Sequence, residues 1–141
     1  MTITDDLDSE QNFGQGDGTY RAVGGFDGLK QLIDDFYDIM STGQDYAEIW
    51  SLHTKAKDIA KDKLISFLSG WMGGPRLYKE RYGAINIPSA HRHLPIDERA
   101  RDLWLACMLE AIQRQHYSAK LQTYLMEQLF VPADRIRAQT S

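Results

Sequence analysis

Apolar residues in this sequence recur every three or four positions, and no segment shows the strict alternation that a strand requires. From Phe26 the series Leu29, Leu32, Ile33, Phe36, Tyr37 and Met40 draws one face of a helix, with Gly24-Gly25 before it and Ser41-Thr42-Gly43 as its stop. A short segment from Tyr46 to Leu52 carries Ile49 and Trp50 and leads to His53, and Thr54 is the expected N-cap of the next helix. Ile59, Ala60, Leu64, Ile65, Phe67, Leu68, Trp71 and Met72 give that helix a broad apolar face, closed by Gly73-Gly74-Pro75. Residues 75 to 95 have weak periodicity and read as mostly loop, with one helical turn expected over Ser89–His93. Asp97 caps a long helix through Leu103, Trp104, Cys107, Met108, Ala111 and Ile112. Ser118 opens a last helix through Leu121, Leu125 and Leu129, which Pro132 is expected to end or kink. The fold class is all-α. Residues 1–18 are polar and Gly/Asp-rich and read as a flexible N-terminal extension, leaving 19–141 as one helical domain.

Bulk properties exclude several function classes. At 141 residues, 43% of them hydrophobic, the chain can bury one core. A net charge of -4, with basic residues interspersed among acidic ones, is the opposite of a nucleic-acid footprint. No apolar run approaches the length of a membrane span. The single cysteine, Cys107, rules out an internal disulfide. Met1 to Asp6 have neither the charge nor the apolar stretch of a secretory leader, so a cytoplasmic location is expected.

Four histidines occur, His53, His91, His93 and His116, with no His-x-x-x-His or Glu-x-x-His pair on an expected helix to hold zinc or a di-iron centre. There is no nucleophile elbow and no P-loop. Gly14 to Thr19 comes nearest to a dinucleotide-binding turn, but Thr19 stands where the third glycine belongs and no strand precedes it. What remains is a helical chain rich in aromatic residues, with one histidine-bearing, proline-flanked irregular segment. A flat apolar cofactor wants a slot between helices, and an iron at its centre wants one imidazole at a fixed point; haem combines the two. Ordinary cores contain the same aromatic residues, so periodicity alone leaves both readings open.

Motif order narrows the choice. Val23-Gly24-Gly25, Phe36-Tyr37, Trp71-Met72-Gly73-Gly74-Pro75, Leu77-Tyr78, His91 with Pro95-Ile96, and Asp102-Leu103-Trp104-Leu105-Ala106-Cys107-Met108 resemble, in order, the truncated haemoglobins of group II. The resemblance runs from about Tyr20 to about Leu129. It implies a shortened globin, a two-over-two helical sandwich around haem b.

The resemblance also implies roles for individual residues. Arg92-His93-Leu94-Pro95 looks like the family's ligand run, but the family's spacing, counted from Trp104 and from Gly73-Gly74-Pro75, lands on His91 as the iron ligand. On the gas side it maps the distal tyrosine to Tyr37, the pocket tryptophan to Trp104 and a further pocket position to His53. Ala60 falls where many globins carry a distal histidine, with Leu64 one turn later. Leu64, Phe67, Leu68, Tyr78 and Trp104 are the expected haem neighbours, and Lys63 and Arg76 the expected propionate partners. Ala90 replaces an arginine common in the group, with Arg92 or His93 as substitutes.

The implied activity is reversible binding of O2 and other diatomic gases, CO and NO among them. Three donors around one gas molecule, each worth about 1 kcal/mol, imply slow release, which argues against bulk oxygen transport. An alternative is redox chemistry on nitric oxide, peroxide or sulfide with an external reductase. Another is a haem-free helical sensor or interaction module. Coordination of the iron by His53 or Tyr37 in the gas-free state is a further option, and either a monomer or a homodimer is compatible with the sequence.

Overall fold

The computed structural model describes residues 15–51, 57–83 and 97–140, and every regular element among them is helical. In order these are α1 (Gly18–Ala22), α2 (Gly25–Thr42), a 3-10 turn (Gln44–Tyr46), α3 (Ala47–Trp50), α4 (Lys57–Trp71), α5 (Leu77–Tyr82), α6 (Glu98–Arg114) and α7 (Ala119–Thr140). None of these helices is long and apolar enough to cross a membrane.

The periodic residues do what their spacing demands. Leu29, Leu32, Ile33, Phe36, Tyr37 and Met40 of α2 are buried, as are Ile65 and Leu68 of α4, Cys107, Met108 and Ile112 of α6, and Leu121, Leu125 and Leu129 of α7. Helix α2 packs against both α4 and α6, and α6 packs in turn against α7. The pairs α2/α4 and α6/α7 thus form the two layers around one core. The caps expected at Asp97 and Ser118 are present. The Asp97 carboxylate accepts from the Ala100 N–H at 2.8 Å, and the Ser118 hydroxyl accepts from the Leu121 N–H at 3.1 Å.

The corner after α4 is built on glycine. Gly73 has φ +89°, and a β-carbon there would lie 1.7 Å from the Gly16 carbonyl oxygen, so only glycine lets residues 16–17 rest on the corner. The contact is tied down by the Tyr20 N–H donating to the Met72 carbonyl at 3.1 Å and by the Ser69 hydroxyl donating to the Pro75 carbonyl at 2.6 Å. Residues 15–18, at the end of the Gly/Asp-rich segment, therefore lie against the end of α4.

Three features depart from the pattern reading. Helix α1 is only five residues long, below the length at which periodicity registers. Helix α5 occupies a stretch read as loop, because one and a half turns rich in Lys, Glu and Arg carry no apolar stripe. Tertiary contacts hold it instead: the Arg81 guanidinium donates to Asp62 at 2.6 Å and to Ser66 at 3.2 Å. Helix α7 continues through Pro132 rather than ending there. Proline removes one backbone donor, but Leu129 and Ala133 on either side are buried in the core, and Asp134 beyond it is clasped by Arg101 and Arg137 at 2.9 and 2.7 Å. The Thr54 cap, the turn at Ser89–His93 and residues 1–14 lie outside the described residues.

Candidate functional site

Helix α2 turns Phe36 and Tyr37 inward together, because adjacent helical positions lie 100° apart and this helix is buried across a broad face. The Phe36 ring, fully buried, stands edge-on to Tyr37 with centroids 5.3 Å apart and to Trp104 of α6 at 5.2 Å. Trp50, the last residue of α3, meets the Tyr37 ring at 6.3 Å. Three helices thus meet at the Phe36–Tyr37 pair, and Tyr37 is only 3% exposed. Burial pushes its phenol well above the usual tyrosine range. At neutral pH the group is a protonated hydroxyl, able to donate. Trp104, half-buried, offers an indole N–H that can only donate.

One turn beyond Trp104, the fully buried Cys107 lies with its Sγ 3.5 Å from the Phe36 carbonyl oxygen, linking α6 to the α2 backbone beside Tyr37. The same apolar surroundings push this thiol up to about 12, so at neutral pH it is protonated and a poor nucleophile.

Helix α4 carries two neighbouring apolar stripes. Ile65, Leu68 and Met72 at its end are buried in the core, whereas Leu64, Phe67 and Trp71 keep part of their surface. Of the residues expected along the haem, Leu68 is buried in the core while Leu64 and Phe67 keep part of their surface. Ala60 lies on the same helix, one turn before Leu64. Tyr78 of α5 is half-buried and packs on Tyr82 at 5.0 Å. Lys63 holds its ammonium 5.3 Å above the Tyr82 ring, while the Tyr82 hydroxyl donates to Asp62. Arg76 is exposed, at the start of α5. His53, His91, His93, Ala90 and Arg92 lie outside the described residues.

This arrangement fits haem and does not fit a metal held by protein alone. Among the described residues no three His, Cys, Asp or Glu side chains come together to hold an ion. Iron in a porphyrin needs only one protein ligand, but needs apolar walls for the ring, and the half-covered stripe of Leu64 and Phe67 offers apolar surface of that kind. A separate open groove of about 600 Å³ between the 3-10 turn, α3 and α6 is lined by Leu103, Ala106 and the paired Glu48 and Arg99. It includes neither Tyr37 nor Trp104.

A family model described as bacterial-like globin matches residues 18–137. The chain belongs to the bacterial-like globins. Within them it is a truncated haemoglobin of group II, as its motifs indicated, and the family binds haem and diatomic gases. The group 2 truncated hemoglobin YjbI of Bacillus subtilis (strain 168) is 29% identical over 121 residues, covering 86% of this chain and 89% of that protein. Among solved structures, the globin is similar to the cold-adapted truncated hemoglobin of Pseudoalteromonas haloplanktis TAC125, at 28% identity and a TM-score of 0.80, covering 84% of this chain and 95% of that one. It is similar to the same degree, over 84% and 92%, to the group II 2-on-2 hemoglobin of Agrobacterium tumefaciens. A truncated haemoglobin from Bacillus subtilis described as oxygen-avid matches with a TM-score of 0.75 at 26% identity, over 84% of this chain and 97% of that one.

Sequence reasoning had placed Tyr37 and Trp104 in one pocket, and Phe36 brings these two together. It had left Trp50 and Phe36 as helix and core residues. Only contact with Tyr37 distinguishes them from any other buried aromatic residue, and that contact has no signature in spacing.

Proposed function

We propose that this globin binds O2 reversibly, with CO and NO as further ligands, at a haem b whose iron is held by His91. Haem supplies the iron at which a diatomic gas binds. The protein's part is to hold the cofactor and to meet the gas with hydrogen-bond donors. Leu64, Phe67, Leu68, Tyr78 and Trp104 are the residues assigned to the ring, with Lys63 and Arg76 assigned to its propionates. Tyr37, Trp104 and His53 are assigned to the gas side, where Ala60 contributes no donor.

The observation that carries this reading is the pairing of Tyr37 and Trp104 through Phe36. Two residues able to donate, one buried and one half-buried, come from helices of different layers and pack on the same buried ring, Phe36. A bound gas that draws electron density is stabilised by such donors, and apolar CO far less. Each hydrogen bond worth about 1 kcal/mol slows escape about fivefold. The oxygen-avid description of the Bacillus subtilis relative is in keeping with this. The test is stopped-flow O2 release from the ferrous protein. Tyr37→Phe and Trp104→Phe are each expected to release O2 several-fold faster while CO release changes less. Unchanged O2 release in both variants removes these residues from the gas-binding site.

A further inference from the structure

A donor is useful only if it is aimed, and for the Tyr37 hydroxyl the neighbouring ring that bears on this is Trp50. A tyrosine on a helix has two rotatable side-chain bonds, and a hydroxyl useful to a small ligand must stay in one place. Phe36 covers one flank of the Tyr37 ring, edge-on at an interplanar angle of 80°. Because Phe36 is the preceding residue of the same helix, it moves with Tyr37 and cannot by itself set the ring against the opposite layer. A contact from another helix comes from Trp50, edge-on at 70°.

Trp50 is well placed for this because α3 is itself fixed. This one-turn helix is too short to be stable alone, and three contacts attach it to the body. Ile49, next to Trp50, is buried. Tyr46, immediately before α3, is buried and its hydroxyl donates to Glu110 of α6. Glu48 accepts from Arg99 of α6 at 2.7 Å, although that pair is exposed and contributes little on its own. Two of these anchors, Tyr46 and Glu48, run to α6, the helix that carries Trp104, so α3 presents Trp50 to Tyr37 from the same frame as the second donor. Trp50 is also only partly buried, so its removal does not empty the centre of the core.

We propose that Trp50 is a positioning residue that holds the Tyr37 ring, and with it the Tyr37 hydroxyl, in a single orientation. The functional consequence rests on the gas-binding reading; the positioning itself does not. In the haem-loaded, CO-bound full-length protein carrying ring-labelled ¹³C-tyrosine, the Tyr37 signals are assigned by their absence in Tyr37→Phe. The parent protein is expected to show two distinct ring-edge signals from slow ring flipping. Trp50→Ala is expected to show one averaged signal, and Trp50→Phe to restore the parent pattern. In parallel, Trp50→Ala is expected to speed O2 release about fivefold, the loss of one hydrogen bond, and to have no further effect in a Tyr37→Phe background. A purely structural role for Trp50 moves release equally in both backgrounds, and that result overturns the proposal. So do parent-like Tyr37 signals in Trp50→Ala. Averaged Tyr37 signals, with O2 release unchanged in both Trp50→Ala and Tyr37→Phe, support the positioning while removing Tyr37 as a gas donor. Far-ultraviolet circular dichroism confirms that each variant is folded, with Trp50→Phe as the conservative control.

Discussion

Replacing Gly73 by alanine gives a sharp test of how the N-terminal residues are seated on α4. Two costs arise. The residue sits at φ +89°, a left-handed conformation that costs a residue with a β-carbon about 1–2 kcal/mol. The new methyl would also lie 1.7 Å from the Gly16 carbonyl oxygen and 3.1 Å from the Asp17 Cα, overlaps that no side-chain rotation relieves. Residues 16–17 must lift away, which weakens the Tyr20 N–H to Met72 carbonyl bond at a further cost of about 1 kcal/mol. The sum is about 2–3 kcal/mol, within the range of mutations that strain a special backbone position. For a domain of this size that lowers Tm by about 6–9 °C. The assay is thermal and urea unfolding of the haem-loaded protein beside Gly16→Ala, a second positive-φ glycine (+52°) whose β-carbon meets nothing within 4 Å. Gly16→Ala carries the backbone cost alone. Removing residues 1–17 from the Gly73→Ala protein relieves the overlap and leaves about 1–2 kcal/mol. A Gly73→Ala protein no less stable than Gly16→Ala refutes the contact between residues 16–17 and the corner.

Three further outcomes follow from the geometry. The Tyr117 hydroxyl is buried with no hydrogen-bond partner among the described residues, so Tyr117→Phe is expected to stabilise the fold by about 1 kcal/mol, and a loss of stability in urea unfolding contradicts this. Arg137, then Arg101, holds the Asp134 carboxyl below its ordinary range; its contribution to stability is therefore present above the unfolded-state carboxylate pKa of about 4 and lost as pH falls through the lower folded value. Asp134→Asn should flatten the acid limb of a Tm-against-pH profile, and an unchanged limb counts against the clasp. Cys107, with its thiol pushed up to about 12 by burial, should resist thiol reagents at pH 8 until the protein unfolds; rapid labelling of the native protein contradicts its burial.

Much of this architecture was legible because four long helices each bury one apolar face, and such a face leaves a period in the sequence. Asp97 and Ser118 were legible for a related local reason, since an N-cap is recognised by one side chain at a fixed offset from the first apolar position. The glycine corner at Gly73-Gly74-Pro75 was also visible, but its partner was not. Nothing in residues 15–18 announces that they rest on the end of α4. Helix α5 was missed, and of the two outcomes open at Pro132 the helix does not take the ending, because tertiary contacts overrode local preference: Arg81 on Asp62 in one case, the buried Leu129 and Ala133 in the other.

The site divides in the same way. Tyr37 and Trp104 came from family spacing, and Phe36 joins them. Lys63 was assigned to a propionate by the resemblance, whereas its visible partner is the Tyr82 ring. Trp50 looked like one more apolar residue on a short segment. Its relation to Tyr37 arises from how α3 is anchored to α6, a pairing more than 40 positions apart in sequence that no local pattern encodes.

The central claim is a haem held through His91, and the absorption spectrum tests it most directly. The purified protein, expressed with adequate haem, is examined in ferric, ferrous and CO-bound forms beside His91→Ala and His93→Ala. The account predicts a Soret band that shifts on reduction and on CO addition in the parent and in His93→Ala, and loss of stably bound haem in His91→Ala. Retention of haem by His91→Ala with its loss from His93→Ala, or no Soret band in the parent protein, contradicts it.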